Sequence, residues 1–252
     1  MTRFRNAFLT GASSGIGRAL ALELARRGTR VVGAARRGGR LAELVADAEG
    51  TAGRVEACDL DVRDPEAVFE AVRRWDRELG GLDLVVANAG VGSAGHARDM
   101  DWQDVARLAD VNFRGALATL VAAKEVMLPR GYGTLAGVSS LAGLRALPSS
   151  GAYSASKAGL QAFLETLELD LRPSGLRVVD IQPGFVRSEM TDRNDFEMPL
   201  LMEVELCARI CADGLEAGRS VVHFPWQLSW PLRLGRALPR PWWRLLAGRL
   251  RR

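Results

Sequence analysis

The sequence predicts an α/β protein in which a doubly wound parallel sheet of about seven strands has helices on both faces, a Rossmann-like architecture. Short apolar runs alternate with longer amphipathic stretches, as expected for strands joined by helical crossovers. A glycine-rich turn directly follows the first apolar run, where dinucleotide-binding folds hold phosphate. The 252 residues, 48% of them hydrophobic, are sufficient for one large core.

The elements are assigned from the length and periodicity of each apolar segment. Short runs rich in Val, Ala and Leu are predicted strands, at residues 4–9, 30–35, 55–58, 82–87, 134–138, 177–181 and 220–224. Longer amphipathic segments are predicted helices, at residues 15–27, 41–48, 65–78, 102–128 and 151–171. The chain has no internal repeat and no long linker. Residues 1–225 are therefore predicted to form one dinucleotide-binding domain, followed by an extension at residues 226–252.

The glycine-rich turn has the composition of a phosphate-binding loop. Gly11 permits a sharp turn, Gly15 lets the backbone approach a phosphate, and Gly17 lets the following helix pack closely on the sheet. The helix directs its N-terminal amides towards that phosphate. The predicted cofactor-binding residues of this segment are Gly11, Ser13, Ser14, Gly15, Ile16 and Gly17.

The end of the second strand predicts the choice of cofactor. NAD-selective dinucleotide folds carry an acidic residue here to bind a ribose hydroxyl, whereas this chain has Arg36 and Arg37. Two guanidinium groups can bind a 2′-phosphate, so we expect NADP(H) to be preferred over NAD(H). The alternative is that both arginines are solvated surface residues.

The segment Tyr153-Ser-Ala-Ser-Lys157 is the strongest chemical signal in the chain. The protein has two tyrosines, and two of its 34 Lys and Arg residues are lysines. One tyrosine and one lysine stand in this segment. Positions four apart on a helix share a face, so an ammonium lies beside a phenol. Taken alone, the spacing also fits an ordinary exposed turn of helix.

Together these motifs resemble the short-chain dehydrogenase/reductase family over about residues 5–225. The matching positions occur in the family's order and at its spacings. They are Thr10 to Gly17, Asp59, Leu60, Asn88, Ala89, Gly90, Asn112, Ser139, Ser140, Tyr153, Lys157, Pro183 and Gly184. Residues 1–225 are thus expected to be the catalytic domain of such an enzyme.

The resemblance implies how the cofactor is held. Asp59 and Leu60 would contact the adenine. The adenosine ribose would lie against Asn88, Ala89 and Gly90. The nicotinamide would lie against Pro183, Gly184, Val186 and Ser188. Two positions depart slightly from the family pattern: Ala87 stands where many members have Asn, and Ser188 stands where Thr is common.

The resemblance also implies a catalytic set of Asn112, Ser140, Tyr153 and Lys157, with Ser139 structural. Tyr153 would exchange a proton with the substrate oxygen, provided that its pKa falls from about 10 towards neutrality near Lys157. Lys157 would also bind the nicotinamide ribose, and Ser140 would polarise the substrate oxygen. Asn112 would hold a proton-carrying water, or would cap a local helix kink.

The expected activity is NADP(H)-dependent interconversion of a carbonyl compound and an alcohol. Apolar residues between 188 and 205, including Phe196 and Met198, favour a small lipophilic substrate, unless they only pack a lid onto the body. His96 and Ser149 are expected at the pocket edge. A catalytically silent dinucleotide sensor and a membrane-surface scaffold are the alternative functions. The resemblance further implies a homodimer or homotetramer.

The C-terminal extension is basic and rich in tryptophan. After Glu216 the chain has eight arginines and no acidic residue, so the net positive charge resides at its end. Four of the six tryptophans also lie here: Trp226, Trp230, Trp242 and Trp243. Three prolines are expected to divide the segment into short helices: Pro231, Pro239 and Pro241. Peripheral membrane contact and a cap over the pocket or subunit contact remain open, and nucleic-acid binding is the least favoured.

The remaining composition favours a cytoplasmic protein without a metal site. The three cysteines are an odd number without a nearby histidine partner, so we expect reduced thiols rather than disulfides or a metal site. No run reaches about 18 apolar residues, so no transmembrane helix is expected. A peripheral position at a membrane, through the extension, is the one variation left open.

Overall fold

A computed structural model describes residues 4–92, 95–192 and 197–249. Seven strands are present among them: β1 (Asn6–Thr10), β2 (Arg30–Ala35), β3 (Arg54–Asp59), β4 (Leu84–Ala87), β5 (Gly133–Val138), β6 (Leu176–Pro183) and β7 (Val221–Phe224). The helices before the extension are α1 (Gly15–Arg26), α2 (Gly38–Asp47), α3 (Pro65–Leu79), α4 (Trp102–Leu108), α5 (Gly115–Met127), α6 (Gly151–Leu171) and α7 (Val204–Glu216). The extension forms α8 (Trp226–Ala237) and α9 (Arg240–Arg249).

The strands form one parallel sheet in the order β3-β2-β1-β4-β5-β6-β7. The predicted fold class is confirmed. The order reverses between β1 and β4, and ligands of such sheets bind at the carboxyl ends of the strands beside that point. All the motifs singled out in the sequence follow strands that end at this edge or lie on the helices beside it.

The core has two halves, one on each face of the sheet. Phe8 and Leu9, adjacent in β1, are both fully buried and belong to different halves, because successive side chains of a strand point to opposite faces. One half packs α1 and α7 against the sheet, and the other packs α3, α5 and α6. Burial on both faces explains why the strands read as continuous apolar runs.

Three local features differ from the sequence prediction. The predicted helix 102–128 is interrupted between α4 and α5 by a π-helical segment, Ala109–Arg114. Helix α7 was not predicted as an element of its own. Pro231 does not divide the extension, because α8 continues through it. Pro231 has no amide hydrogen to donate to the carbonyl of Gln227. Both residues are exposed, so water can hydrogen-bond that carbonyl instead.

The other two prolines of the extension and the three cysteines lie within the described residues. Pro239 lies between α8 and α9, and Pro241 is the second residue of α9, where a missing amide hydrogen costs little. Cys58, Cys207 and Cys211 are free and buried. Within the described ranges, no helix has the length and apolar character needed to cross a bilayer.

Candidate active site

In the turn between β1 and α1, Gly11 and Gly17 are packed too tightly for a larger residue. Gly11 has a φ of +74°, and a Cβ atom there would lie 2.7 Å from the Ala89 Cα. At Gly17, a Cβ would lie 2.3 Å from the carbonyl oxygen of Gly11. Gly15 has a φ of +54°, and its Cβ would come within 3.4 Å of the Ser188 Cβ. The turn thus brings the N-terminus of α1 opposite the loop after β6, as a phosphate cradle requires.

Asn88 fastens the end of β4 to this turn. Its Nδ2 donates to the carbonyl oxygens of Thr10 and Gly11, at 2.9 and 3.3 Å. The Thr10 hydroxyl in turn accepts from the amides of Asn88 and Ala89. The side chain of Asn88 therefore shapes the turn, while Ala89 and Gly90 continue along the edge of the sheet where a ribose would lie.

Arg37 reaches from β2 to the glycine turn. Its Nε donates to the Ser13 hydroxyl at 3.1 Å and its Nη2 to the Ser14 hydroxyl at 2.5 Å. Its Nη1 pairs with Glu189 in the loop after β6, at 2.8 Å. Arg36 is more exposed and lies 3.7 Å from the carboxylate of Asp61. Arg37 is therefore at the predicted phosphate site, whereas Arg36 faces the end of β3.

The segments predicted to contact the adenine and the nicotinamide also lie at this edge of the sheet. Asp59 is the exposed last residue of β3, and the amide of the buried Leu60 donates to Ala35 at 3.0 Å. After β6, the loop is tied by Thr191, whose Oγ1 accepts from the Ser188 amide at 2.8 Å and donates to the Val186 carbonyl at 2.8 Å. Thr191 therefore positions the loop that is predicted to face the nicotinamide, and sequence reasoning did not identify it.

Tyr153, Ser140 and Lys157 meet at the carboxyl ends of β5 and β6. Ser140 follows β5 and hydrogen-bonds the Tyr153 phenol. The Lys157 Nζ lies 5.9 Å from the centre of the Tyr153 ring and donates to the Val138 carbonyl at 2.7 Å. Because α6 starts just before Tyr153, the four-residue spacing places both side chains on the face of α6 that packs towards the sheet.

The pKa of the Tyr153 phenol differs from the expectation. Burial raises the pKa of Tyr153, and its hydrogen bond from Ser140 only partly opposes this shift. The fall in the pKa of Tyr153 that the mechanism would need is thus not found in the ligand-free protein, because desolvation by burial outweighs the effect of Ser140. A raised pKa keeps Tyr153 protonated near neutral pH, which is the form that donates a proton.

A buried polar network lies behind these groups. Asp180 on β6 accepts from the Ser139 hydroxyl and from the Gln182 amide, both at 2.5 Å. Burial raises the pKa of Asp180, while these two hydrogen bonds and the nearby charges of Lys157 and Arg233 lower it. Asp180 therefore places a buried acid close to Lys157, the predicted catalytic lysine.

The same network reaches both Ser140 and the extension. Gln161 on α6 donates to the Ser139 hydroxyl at 3.2 Å and to the Ser140 carbonyl at 2.8 Å. At the other side, Arg233 of α8 donates to Gln182 at 3.4 Å. Ser139, predicted to be structural, is held in this arrangement by Asp180 and Gln161. Neither Asp180 nor Gln161 was predicted from the sequence, because each is a single polar residue in an apolar run with no motif spacing.

Asn112 lies in the π-helical segment and is fully buried. Its Oδ1 accepts from the Val91 amide at 2.7 Å, and its Nδ2 donates to the Val91 carbonyl at 2.9 Å. A Cβ on neighbouring Gly90 would lie 3.6 Å from both Asn112 Oδ1 and Lys157 Nζ. The local helix distortion foreseen for Asn112 is present, and the residue also lies beside the lysine. Local π-helical turns are frequent at functional sites.

A cleft of about 330 Å³ opens beside Tyr153. Its wall combines apolar side chains with carboxylates, and His96 and Ser149 contribute to it as expected. The apolar and acidic members are Met100, Val105, Leu108, Asp99, Asp101 and Asp104. Phe196, one of the apolar residues that favour a lipophilic substrate, lies outside the described residues.

Comparison with known proteins agrees with this geometry. The family model described as short chain dehydrogenase matches residues 5–198. The chain belongs to the short-chain dehydrogenase/reductase family. An uncharacterized oxidoreductase of Myxococcus xanthus is 49% identical over 248 residues, which cover 98% of each chain. The chain is thus an oxidoreductase of the NAD(P)-dependent dehydrogenase/reductase type.

Solved structures of the family include complexes with both dinucleotides. A family member from Burkholderia phymatum, in complex with NAD, has a TM-score of 0.85 and 25% identity, and the alignment covers 93% of this chain and 94% of that one. A short-chain dehydrogenase from Sphingobium yanoikuyae, in complex with NADPH, has a TM-score of 0.81 and 27% identity, with 97% and 93% covered. The fold therefore fits an NAD(P) cofactor, and the choice between the two depends on this chain's own residues.

Proposed function

We propose that this short-chain dehydrogenase/reductase catalyses the NADP(H)-dependent interconversion of a carbonyl compound and an alcohol on a small lipophilic substrate. The main support is the meeting of Tyr153, Ser140 and Lys157 beside a cleft at the edge of the sheet where the glycine turn lies. A protein that only sensed the dinucleotide would have no use for this proton-transfer set.

In the reducing direction, a dinucleotide held at this edge would supply the hydride for the carbonyl carbon. Tyr153 donates its phenolic proton to the carbonyl oxygen, and Ser140 stabilises the negative charge that develops on that oxygen. Lys157 then lies close enough to stabilise the phenolate left behind. Asn112, beside Gly90 and Lys157, is the proposed holder of the water that returns a proton to this group.

The dinucleotide is proposed to lie across the strand ends from β3 to β6. The glycine turn from Gly11 to Gly17, with Ser13, Ser14 and Ile16, would hold the phosphates. Asp59 and Leu60 would contact the adenine, and Ala89 and Gly90, shaped by Asn88, the ribose. Pro183, Gly184, Val186 and Ser188 would face the nicotinamide, and Tyr153 and Lys157 would complete this part of the site.

Arg37 is the proposed determinant of NADP(H) preference. It carries its guanidinium to the serines of the phosphate turn, where a charged hydrogen bond to a 2′-phosphate contributes about 1.5–3 kcal/mol. Arg37→Gln should therefore weaken NADPH binding at least about tenfold and leave NADH binding nearly unchanged. Arg40→Gln is the matched control, because Arg40 also faces Glu189, at 3.6 Å. Tighter binding of NADH than NADPH by the unmodified protein, measured by calorimetry, would contradict the preference.

The activity can be tested with a panel of aliphatic and aromatic ketones and aldehydes. We expect NADPH oxidation, followed at its absorbance band, with at least one lipophilic carbonyl compound, and the reverse reaction with the matching alcohol. A cleft that joins Met100, Val105 and Leu108 to carboxylates fits an apolar body with a polar or hydroxylated end. Turnover of none of these compounds with either dinucleotide would remove the proposed reaction.

A homodimer or homotetramer is proposed on the family resemblance. The outer face of α6 presents Ala155, Ala158, Ala162 and Leu169, all exposed, which suits packing against a second copy. Light scattering at micromolar concentration measures the oligomer, and a monomer would contradict this part of the proposal.

A further inference from the structure

The outer face of α8 is apolar, the reverse of an ordinary surface helix. Trp226, Trp230 and Leu234 follow one another at four-residue spacing, so they form one stripe along the helix. Their exposed fractions are 66%, 54% and 68%. Such contiguous large side chains in contact with water mark an interaction surface rather than isolated surface residues.

The extension is nevertheless fastened to the body. Trp243 of α9 turns inwards, and its Nε1 donates to the Ala146 carbonyl at 3.0 Å. A Cβ on Gly235 of α8 would lie 2.8 Å from the Trp243 ring, so the two helices are in close contact. Arg145 places its guanidinium 5.4 Å from the same ring and donates to the Leu238 carbonyl at 3.1 Å. The extension therefore contacts the body through its inner face, at the segment that holds Arg145 and Ala146.

The outer face of α9 also exposes large apolar side chains. Trp242 and Leu245 are 64% and 68% exposed. Three arginines accompany them in the exposed part of the two helices: Arg236, Arg240 and Arg244. Because no acidic residue follows Glu216, the charge of this surface is positive.

We propose that the outer face of α8 and α9 lies on a lipid bilayer that carries anionic headgroups. This tail surface is defined by Trp226, Trp230, Leu234, Trp242 and Leu245 together with Arg236, Arg240 and Arg244. Tryptophan rings favour the interfacial zone of a bilayer, leucines enter its acyl boundary, and arginines bind the headgroup phosphates. The contact is peripheral, since no helix in the described part of the chain crosses a membrane.

A second copy of the chain is a poorer occupant of the tail surface. Two-fold contacts bring the same patch of both subunits together, so arginines would face arginines without an acidic partner from the extension. A bilayer with anionic lipid supplies negative charge for the arginines and an apolar interior for the tryptophan and leucine side chains. The oligomer proposed through α6 uses a different part of the molecule.

The experiment is vesicle co-sedimentation of the full-length protein. Vesicles of phosphatidylcholine are compared with vesicles that also contain phosphatidylserine. We expect binding to the mixed vesicles, with weaker binding at high salt. The triple variant Trp226→Gln, Trp230→Gln, Leu234→Gln should bind at least about tenfold more weakly. Trp102→Gln is the matched control, since Trp102 is 72% exposed on α4 and should have no effect.

A second variant tests the charge separately. Arg236→Gln, Arg240→Gln, Arg244→Gln should remove most of the preference for phosphatidylserine, at about fivefold per arginine near the surface. Binding of the unmodified protein to neither vesicle would overturn the proposal. So would equal binding by the unmodified protein and both triple variants. A third result would assign the tail surface to a second copy of the chain. In it, the unmodified protein binds no vesicles, and the tryptophan variant has a smaller oligomeric mass than the unmodified protein.

Discussion

At the scale of single residues, Lys157 is a cation buried in the interior of the protein. It is 4% exposed, and burial lowers its pKa to about 8, with Asp180 opposing the shift. An arginine could not respond in this way, because its guanidinium stays charged and is bulkier. This is a physical reason for one of two lysines to stand here in an arginine-rich chain.

A pH profile follows from that pKa. We expect kcat/KM for carbonyl reduction to fall above pH 8, about the pKa of Lys157, as the ammonium that stabilises the tyrosinate loses its proton. In Asp180→Asn the fall should begin at lower pH, because the charge that raises the pKa of Lys157 is gone. Asp170→Asn, an exposed change on α6, should leave the profile in place. An unshifted profile in Asp180→Asn would show that Asp180 has no electrostatic role.

The unfolding free energy should respond to pH in the opposite sense. Because the pKa of Lys157 is lowered from 10.5 to about 8 by folding, the unfolded chain binds more protons within that window. The contribution of Lys157 to stability therefore increases as pH rises through it. Loss of activity above pH 8 in a protein that is still folded by circular dichroism separates titration of the site from unfolding.

At the scale of elements, the glycine turn shows how local sequence fixes the site. The turn was predictable because each glycine has a separate steric cause, and those causes are visible in the spacing. The role of Asn88 was not, since its side chain braces Thr10 and Gly11 across 78 and 77 residues of sequence. Such long-range contacts leave no periodic signal.

Two alanine substitutions test the packing of this turn. Gly17→Ala should lower the unfolding free energy by about 1–3 kcal/mol and weaken dinucleotide binding, because the new Cβ meets the Gly11 carbonyl. Gly38→Ala is the control, with nothing within 4 Å of its Cβ, and should be neutral or gain about 0.4–1 kcal/mol. Urea denaturation measures both, and equal effects would contradict the close-packing account.

The π-helical segment and α7 show where element prediction failed. The apolar pattern is continuous from residue 102 to 128, so it carries no sign of the local widening at Asn112. That widening lets the buried amide pair with Val91 in both directions. Helix α7 follows a segment read as a substrate loop, and its buried Cys207 and Cys211 are weak indicators of a helix face.

At the scale of the whole molecule, the doubly wound parallel sheet and the edge that carries the glycine turn were the most predictable features. A parallel sheet with right-handed crossovers has few possible topologies, and the glycine turn locates its binding edge. The charge network around Asp180 and the fastening of the extension by Trp243 depend on packing between distant elements. Sequence alone identified the extension as basic and aromatic, and the structure divides it into an inner face and an outer one.

The central claim is that the Tyr153 phenol donates the proton in this reaction. The most direct test is Tyr153→Phe, which removes the hydroxyl and keeps the ring, compared with Tyr132→Phe at the protein's other tyrosine, 44% exposed. On a carbonyl substrate found active with the unmodified protein, Tyr153→Phe should lower kcat by about 10²–10⁴ with NADPH affinity unchanged, while Tyr132→Phe keeps full activity. A Tyr153→Phe enzyme that retained most of its turnover would contradict the account.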